Sequence, residues 1–164
     1  MAVTGSGATA PVPLRIPGVP DRVSLHVHGE TDRYISRRLR EEGIWEPYET
    51  TLVLAALQPG DVFVDVGANI GYYPVIAAGR VGRDGAVFAF EPDPDNFRLL
   101  RQNLQLNGCS DSVSAFEAGL SDQTLSGQLF LSVDNAGDHQ VVACGTDRRS
   151  LSVSLHPGGE FLRG

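Results

Sequence analysis

A chain of 164 residues with 41% hydrophobic and 20% charged side chains has the composition of one globular domain able to bury a core, which excludes extended disorder. The formal net charge of -7 repels phosphate backbones and anionic lipid, so neither nucleic acid nor a membrane surface is the expected partner. Cys109 and Cys144 lie far apart with no CxxC pairing, no stretch is long and apolar enough for a membrane span, and the N-terminus lacks a secretory pattern. A cytoplasmic protein with reduced thiols is the expectation.

Residues 1–20 mix Gly, Ala, Pro, Ser and Thr without periodicity and read as a flexible leader. Val23, Leu25 and Val27 then alternate with Ser24, His26 and His28, the pattern of a half-buried strand with both histidines on its polar face. An HxH pair can hold a metal, but no Cys or carboxylate stands at ligand spacing, so exposed histidines and no metal are expected. Thr31 caps a predicted helix running to Gly43, with Arg33, Arg37, Arg38 and Arg40 as a solvated basic face. A second helix is predicted from Pro47 to about Leu57, ahead of Pro59 and Gly60.

The stretch DVFVDVGANIGYYPVIAAG, residues 61–79, carries the most information. Val62, Phe63, Val64 and Val66 form a nearly continuous apolar run, predicting a parallel strand buried on both faces. Gly67 to Gly71 forms the turn and Tyr72 to Arg80 the returning helix. A second strand, Ala86–Phe90, ends at Glu91, and Asp93 with Pro94 caps a helix with Leu99, Leu100 and Leu104 inward and Asn107–Gly108 as its stop. A third strand follows over residues 113–117. Beyond Asp122 the pattern alternates: Leu129 and Leu131, then Val141 and Ala143, flank the turn-rich DNAGD and predict a β-hairpin, and Leu151, Val153 and Leu155 suggest one more strand. The expected organisation is a leader over 1–20, an N-terminal strand and helices over 21–60, and the principal domain over 61–164. The expected fold is α/β, one half of a doubly wound Rossmann-like sheet with an appended hairpin.

The chemistry concentrates at the strand ends. Gly67 and Gly71 sit where the backbone turns tightly and a ligand approaches, and the N–H groups at the following helix start favour an anionic group. Asp65 complements a ligand ammonium, and Glu91, 26 positions later at the same edge of the neighbouring strand, is placed for ribose hydroxyls. A nicotinamide or flavin site uses the same parts, but the GxGxxG spacing fails: Asn69 stands where a glycine is needed, and Tyr72 and Tyr73 crowd the helix start. No GxxxxGK[ST] is present. A candidate base is His139 on the hairpin, beside Asp138 and Asp134, against the competing reading of a turn-flanking surface histidine.

The run WEPYETTLVLAALQPGDVFVDVGANIGYYPVIAA, then VFAFEPDPDNFRLLRQNLQLN, then AGLSD, resembles the FkbM-type S-adenosylmethionine-dependent methyltransferases of class I over Trp45–Asp122. The resemblance implies S-adenosyl-L-methionine as cofactor, with Asp65, Gly67, Asn69 and Gly71 at its methionine end, Glu91 on the ribose and Leu120 near the adenine. Glu49 is also implied at the methionine end. The implied reaction is O-methylation of a hydroxyl on a small molecule, sugar or polyketide. Such families continue into a fourth strand and an acidic DxEG-type motif, so the resemblance implies an incomplete domain, expected to be poorly stable and inactive by itself. A non-catalytic cofactor-binding fragment is the rival reading, distinguished by measured turnover.

Overall fold

The computed structural model describes residues 10–30, 32–132, 135, 137–139, 141 and 149–161. The chain opens with β1 (Val12–Pro13) paired antiparallel to β2 (Ser24–Leu25). Leu14 and Ile16 are buried with Leu25 and Val27 in the main core, so the expected leader is packed structure from Val12 onward. The cause is the apolar pair itself: the Gly- and Pro-rich composition here serves a turn, with Gly18 at φ 82° and the Leu14 N–H donating to the Val23 carbonyl, rather than a linker. Val23, Leu25 and Val27 alternate as expected, yet His26 and His28 are half-buried instead of exposed.

Helix α1 (Ile35–Glu42) ends at Gly43 in the left-handed conformation. The expected cap Thr31 lies outside the described residues; Asp32 takes that work, its carboxyl accepting from the Ser36 N–H at 2.8 Å and the Tyr34 N–H at 3.3 Å. The basic face pairs within the helix through Arg37–Glu41 and Arg38–Glu42, while Arg40 turns back to the His28 carbonyl. Helix α2 (Pro47–Ala56) starts at its proline as predicted and leaves Tyr48 and Leu52 exposed.

The central layer is a parallel sheet in the order β3 (Val62–Val66), β4 (Ala86–Phe90), β5 (Val113–Phe116), with α3 (Tyr72–Val81) and α4 (Pro94–Leu106) as the crossovers. This is the expected doubly wound half. Phe63, Val87, Ala89, Val113 and Ala115 join Val75, Ile76, Leu100 and Leu104 of the helices in one core. The opposite face departs from expectation. Val62, Val64 and Val66 are 62%, 38% and 59% exposed, because β3 is an edge strand among the described residues and no layer covers that face of it. Over β4 and β5 the same face is closed by Phe161, packed on the stacked Phe90 and Phe116 rings.

A second sheet follows in the order β6 (Gly119–Ser121), β8 (Ser150–Pro157), β7 (Leu125–Phe130). Strand β7 pairs antiparallel with β8, with Leu129 opposite Leu151 and Leu125 opposite Leu155. The expected hairpin across DNAGD falls on a segment of which most of the returning arm, Ala143 included, lies outside the described residues. Alternating Leu151, Val153 and Leu155 supply the longer apolar face, and Gly127 makes room for it, since a Cβ there would stand 2.7 Å from Leu155 Cδ1. No helix among the described residues is long and apolar enough to cross a membrane, and none of their His, Cys, Asp and Glu side chains form a group of three or more fit to hold a metal.

Candidate functional site

The site grows from the turn between β3 and α3. Gly67 at φ 84° and Gly71 at φ 89° hold left-handed backbone that glycine adopts without strain, and Asn69 joins them at φ 51°. At Gly71 packing adds to conformation, because a Cβ there would lie 2.6 Å from Leu100 Cδ1. The amides of the turn are fully engaged. Those of Gly67 and Ala68 both donate to the Phe90 carbonyl at 2.9 Å, Gly71 donates to the Ala68 carbonyl, and Ile70 to Asn69 Oδ1. Asn69 donates to Glu91 Oε2 at 2.6 Å. The expected anion seat thus narrows to the first turn of α3, where Pro74 has no N–H, and the anion that the turn holds is the chain's own Glu91.

Glu91 is 4% exposed and accepts on both oxygens, the second taking the Asp93 N–H at 2.8 Å, with the Asn96 side chain as a further partner. Burial pushes its carboxyl up to about 7 against these stabilising hydrogen bonds. Asp93 caps α4, accepting from the N–H groups of Asp95 and Asn96. Asp65, opposite Ala89 in the parallel register, shares the same strand edge. Its Oδ2 is buried with no hydrogen-bond partner, and burial alone pushes its carboxyl up to about 6.

Both acids open onto a cavity of about 680 Å³ that Gly67, Asn69, Leu120 and His139 also line. The structure brings these sequence-predicted residues together, while Gly71 stands behind the turn against Leu100. Glu49 is exposed and absent from the lining. Glu46, three residues earlier, takes a place there, held at φ 43° before Pro47 and accepting from the Tyr73 hydroxyl at 3.0 Å. Tyr72 and Tyr73 line the same wall; the Tyr72 hydroxyl meets Thr50 Oγ1 at 3.0 Å, and burial raises both phenols. In sequence these tyrosines signal only crowding of the helix start; their partners, Glu46 for Tyr73 and Thr50 for Tyr72, stand one helix upstream, where separation in sequence conceals them.

His139 faces inward, its side chain 14% exposed, with Asp138 beside it in the lining; Asp134 lies outside the described residues. The Ser132 N–H donates to His139 Nδ1 at 3.1 Å, so the neutral ring carries its hydrogen on Nε2, which stands 3.9 Å from Asp93 Oδ2. In this tautomer the ring turns its Nε2–H toward the cap of α4. The cavity is acidic: Glu46, Asp65, Glu91 and Asp138 line it, and no Lys or Arg is found among its described lining residues.

Parts of this chain are similar to known proteins. Residues 44–130 match the TRM5/TYW2 methyltransferase domain model. A probable cobalt-precorrin-6B C(15)-methyltransferase (decarboxylating) from Sulfolobus acidocaldarius is 33% identical over 96 residues, 56% of this chain and 43% of that one. Methyltransferase sdnD from Sordaria araneosa is 37% identical over 68 residues, 42% of this chain and 26% of the other. The methyltransferase FkbM structure from Methylobacillus flagellatus superposes with a TM-score of 0.45 at 15% identity, covering 74% of this chain and 27% of that chain. The chain spans less than half the length of each of these relatives.

Proposed function

From the premise that the chain belongs to the TRM5/TYW2 methyltransferase domain family, we propose that its acidic cavity binds S-adenosyl-L-methionine and that the protein methylates a hydroxyl on a small molecule. The observation that carries this reading is the unpartnered Asp65 carboxyl in a cavity lined by four acids and by no described Lys or Arg. A ligand bearing an ammonium and a sulfonium gains from that field, whereas a dinucleotide pyrophosphate is repelled by it. The residues fit the cofactor group by group. Asp65 Oδ2 has an open acceptor for the ammonium, Glu91 faces the ribose hydroxyls from the end of β4, and Leu120 offers an apolar wall to the adenine. Gly67, Asn69 and Gly71 shape the turn that admits the methionine end. Residues 61–164 form the methyltransferase part, entered through the strand and helices of 21–60.

When bound, the cofactor supplies a methyl carbon made electrophilic by its sulfonium sulfur. The protein's contribution is positioning. His139 lines the cavity beside Asp138, and the hydroxyl proton leaves to a cavity carboxylate. The motif series from Trp45 to Asp122 supports an FkbM-like specificity within the family, and the net charge of -7 favours a small uncharged acceptor over a polyanion. The test is radiolabelled methyl transfer from S-adenosyl-L-methionine into a pool of hydroxylated small molecules and, separately, into a bulk tRNA pool. Label in the first supports the reading, and label confined to the second overturns the acceptor class.

A further inference from the structure

Helix α4 carries Asn96, Asn103 and Asn107 on one face, and all three reach the segment of residues 24–28. Asn107 and Asn103 grip backbone. The Ser24 and His26 N–H groups donate to their Oδ1 atoms at 3.1 and 2.6 Å, and their amides return bonds to the Ser24 and His26 carbonyls at 2.8 and 2.9 Å. Asn103 also donates to the Ile70 carbonyl in the cofactor turn at 2.7 Å. At the third rung the pattern changes: Asn96 Oδ1 meets the imidazole of His28, with Nε2 at 2.6 Å. The His28 backbone is pinned by α1, its N–H donating to Ser36 Oγ at 3.1 Å and its carbonyl accepting from Arg40, which aims the ring at α4.

A carbonyl oxygen only accepts, so His28 Nε2 bears the hydrogen and Asn96 presents its NH2 to its other neighbour, the Glu91 carboxyl. Asn96 is 2% exposed and Glu91 4%, so each link between these side chains counts. We propose that His28 is a positioning residue for the cofactor site: by fixing the Asn96 amide it holds the Glu91 carboxyl in the orientation that receives the ribose hydroxyls. The inference rests on the assignment of Glu91 to ribose made above. Without a donor at position 28 the Asn96 oxygen loses its partner, the amide is no longer held from both ends, and its grip on the Glu91 carboxyl slackens.

The experiment is calorimetric titration of the full chain with S-adenosylhomocysteine and with its 2′,3′-dideoxy analogue, in the parent, His28→Leu and His28→Gln. The parent prefers the hydroxylated ligand by at least about tenfold, the scale of a charge-assisted hydrogen bond. His28→Leu brings that preference down to about threefold or less, with affinity for the dideoxy analogue unchanged within a factor of about two, and His28→Gln, which can still donate, restores it. A residue serving only the fold weakens both ligands alike. If the parent discriminates and His28→Leu leaves the ratio intact, the inference fails while the ribose assignment stands. If the parent binds both ligands equally, the ribose assignment fails and the inference with it. Should His28→Leu lack a cooperative melt, His28→Met, which adapts more readily to a half-buried site, is read by the same criteria.

Discussion

Replacing Asp65 by asparagine keeps the side chain's size and removes a charge that the folded state shelters poorly, since Oδ2 is buried without a partner. Burial lifts this carboxyl from the usual ~3.9 to about 6. At about 1.36 kcal/mol for each tenfold change in acidity, the ionised form costs the fold about 3 kcal/mol. Because the folded state keeps its proton to higher pH than the unfolded chain, this cost is absent below pH ~4, grows as the pH rises and is complete above about 6. Asparagine has no such dependence, although its buried amide carries a desolvation cost of about 1 to 2 kcal/mol. Urea unfolding followed by circular dichroism from pH 4 to 8 should therefore show Asp65→Asn more stable than the parent by roughly 1 to 2 kcal/mol at pH 8 and less stable by roughly 1 to 2 kcal/mol at pH 4, a swing of about 3 kcal/mol. Glu91 titrates in both proteins and cancels in the difference. Affinity for S-adenosylhomocysteine should fall by about tenfold or more as the ammonium loses its partner. A stability difference that does not vary with pH, or a parent that is the more stable at pH 8, would refute the reasoning.

Gly71→Ala forces left-handed backbone on a residue with a Cβ and drives that atom to 2.6 Å from Leu100 Cδ1. It should cost about 2 to 5 kcal/mol in urea unfolding, and a loss under ~1 kcal/mol would contradict the packing described. Glu91→Ala strips the acceptor from the amides of Asn69 and Asp93, at roughly 1 to 3 kcal/mol for each, so chemical denaturation should show a clear loss of stability alongside weaker ligand binding. A variant as stable as the parent would mean that the turn does not depend on Glu91. On the uncovered face of β3, Val62→Lys and Val66→Lys should change stability by under ~0.5 kcal/mol while reducing self-association in light scattering, and unchanged association would locate the sticky surface elsewhere.

Local chemistry made much of the fold legible before the structure. Pro47 and Pro94 mark helix starts, the Asp93 cap and the Asn107 stop bound α4, and β4 spans Ala86–Phe90 as predicted, because each signal acts within a few residues. Asp65 and Glu91 meet at one cavity because a strand–turn–helix–strand unit leaves little freedom in where its strand ends fall. What sequence concealed depends on contacts between distant segments. Composition at residues 1–20 pointed to a leader, yet Leu14 and Ile16 join the same core as Leu25, Leu39 and the helices of the central layer. Alternation marked Leu151, Val153 and Leu155 as a strand but could not pair it with β7, a register set by contacts between residues 125–130 and 150–155. The apolar run of β3 read as doubly buried, whereas burial depends on what lies beside it. His28 and Glu46 gain their roles from partners 68 and 27 positions away, beyond the reach of any local pattern.

The central claim is that the cavity between Asp65 and Glu91 is built for S-adenosyl-L-methionine. Calorimetric titration of the chain with S-adenosylhomocysteine and then with NADH tests it most directly. The account predicts saturable binding of S-adenosylhomocysteine, weakened in Asp65→Asn, and no heat above dilution with NADH, whose pyrophosphate meets four carboxylates in the cavity. Binding of NADH with none of S-adenosylhomocysteine would contradict it.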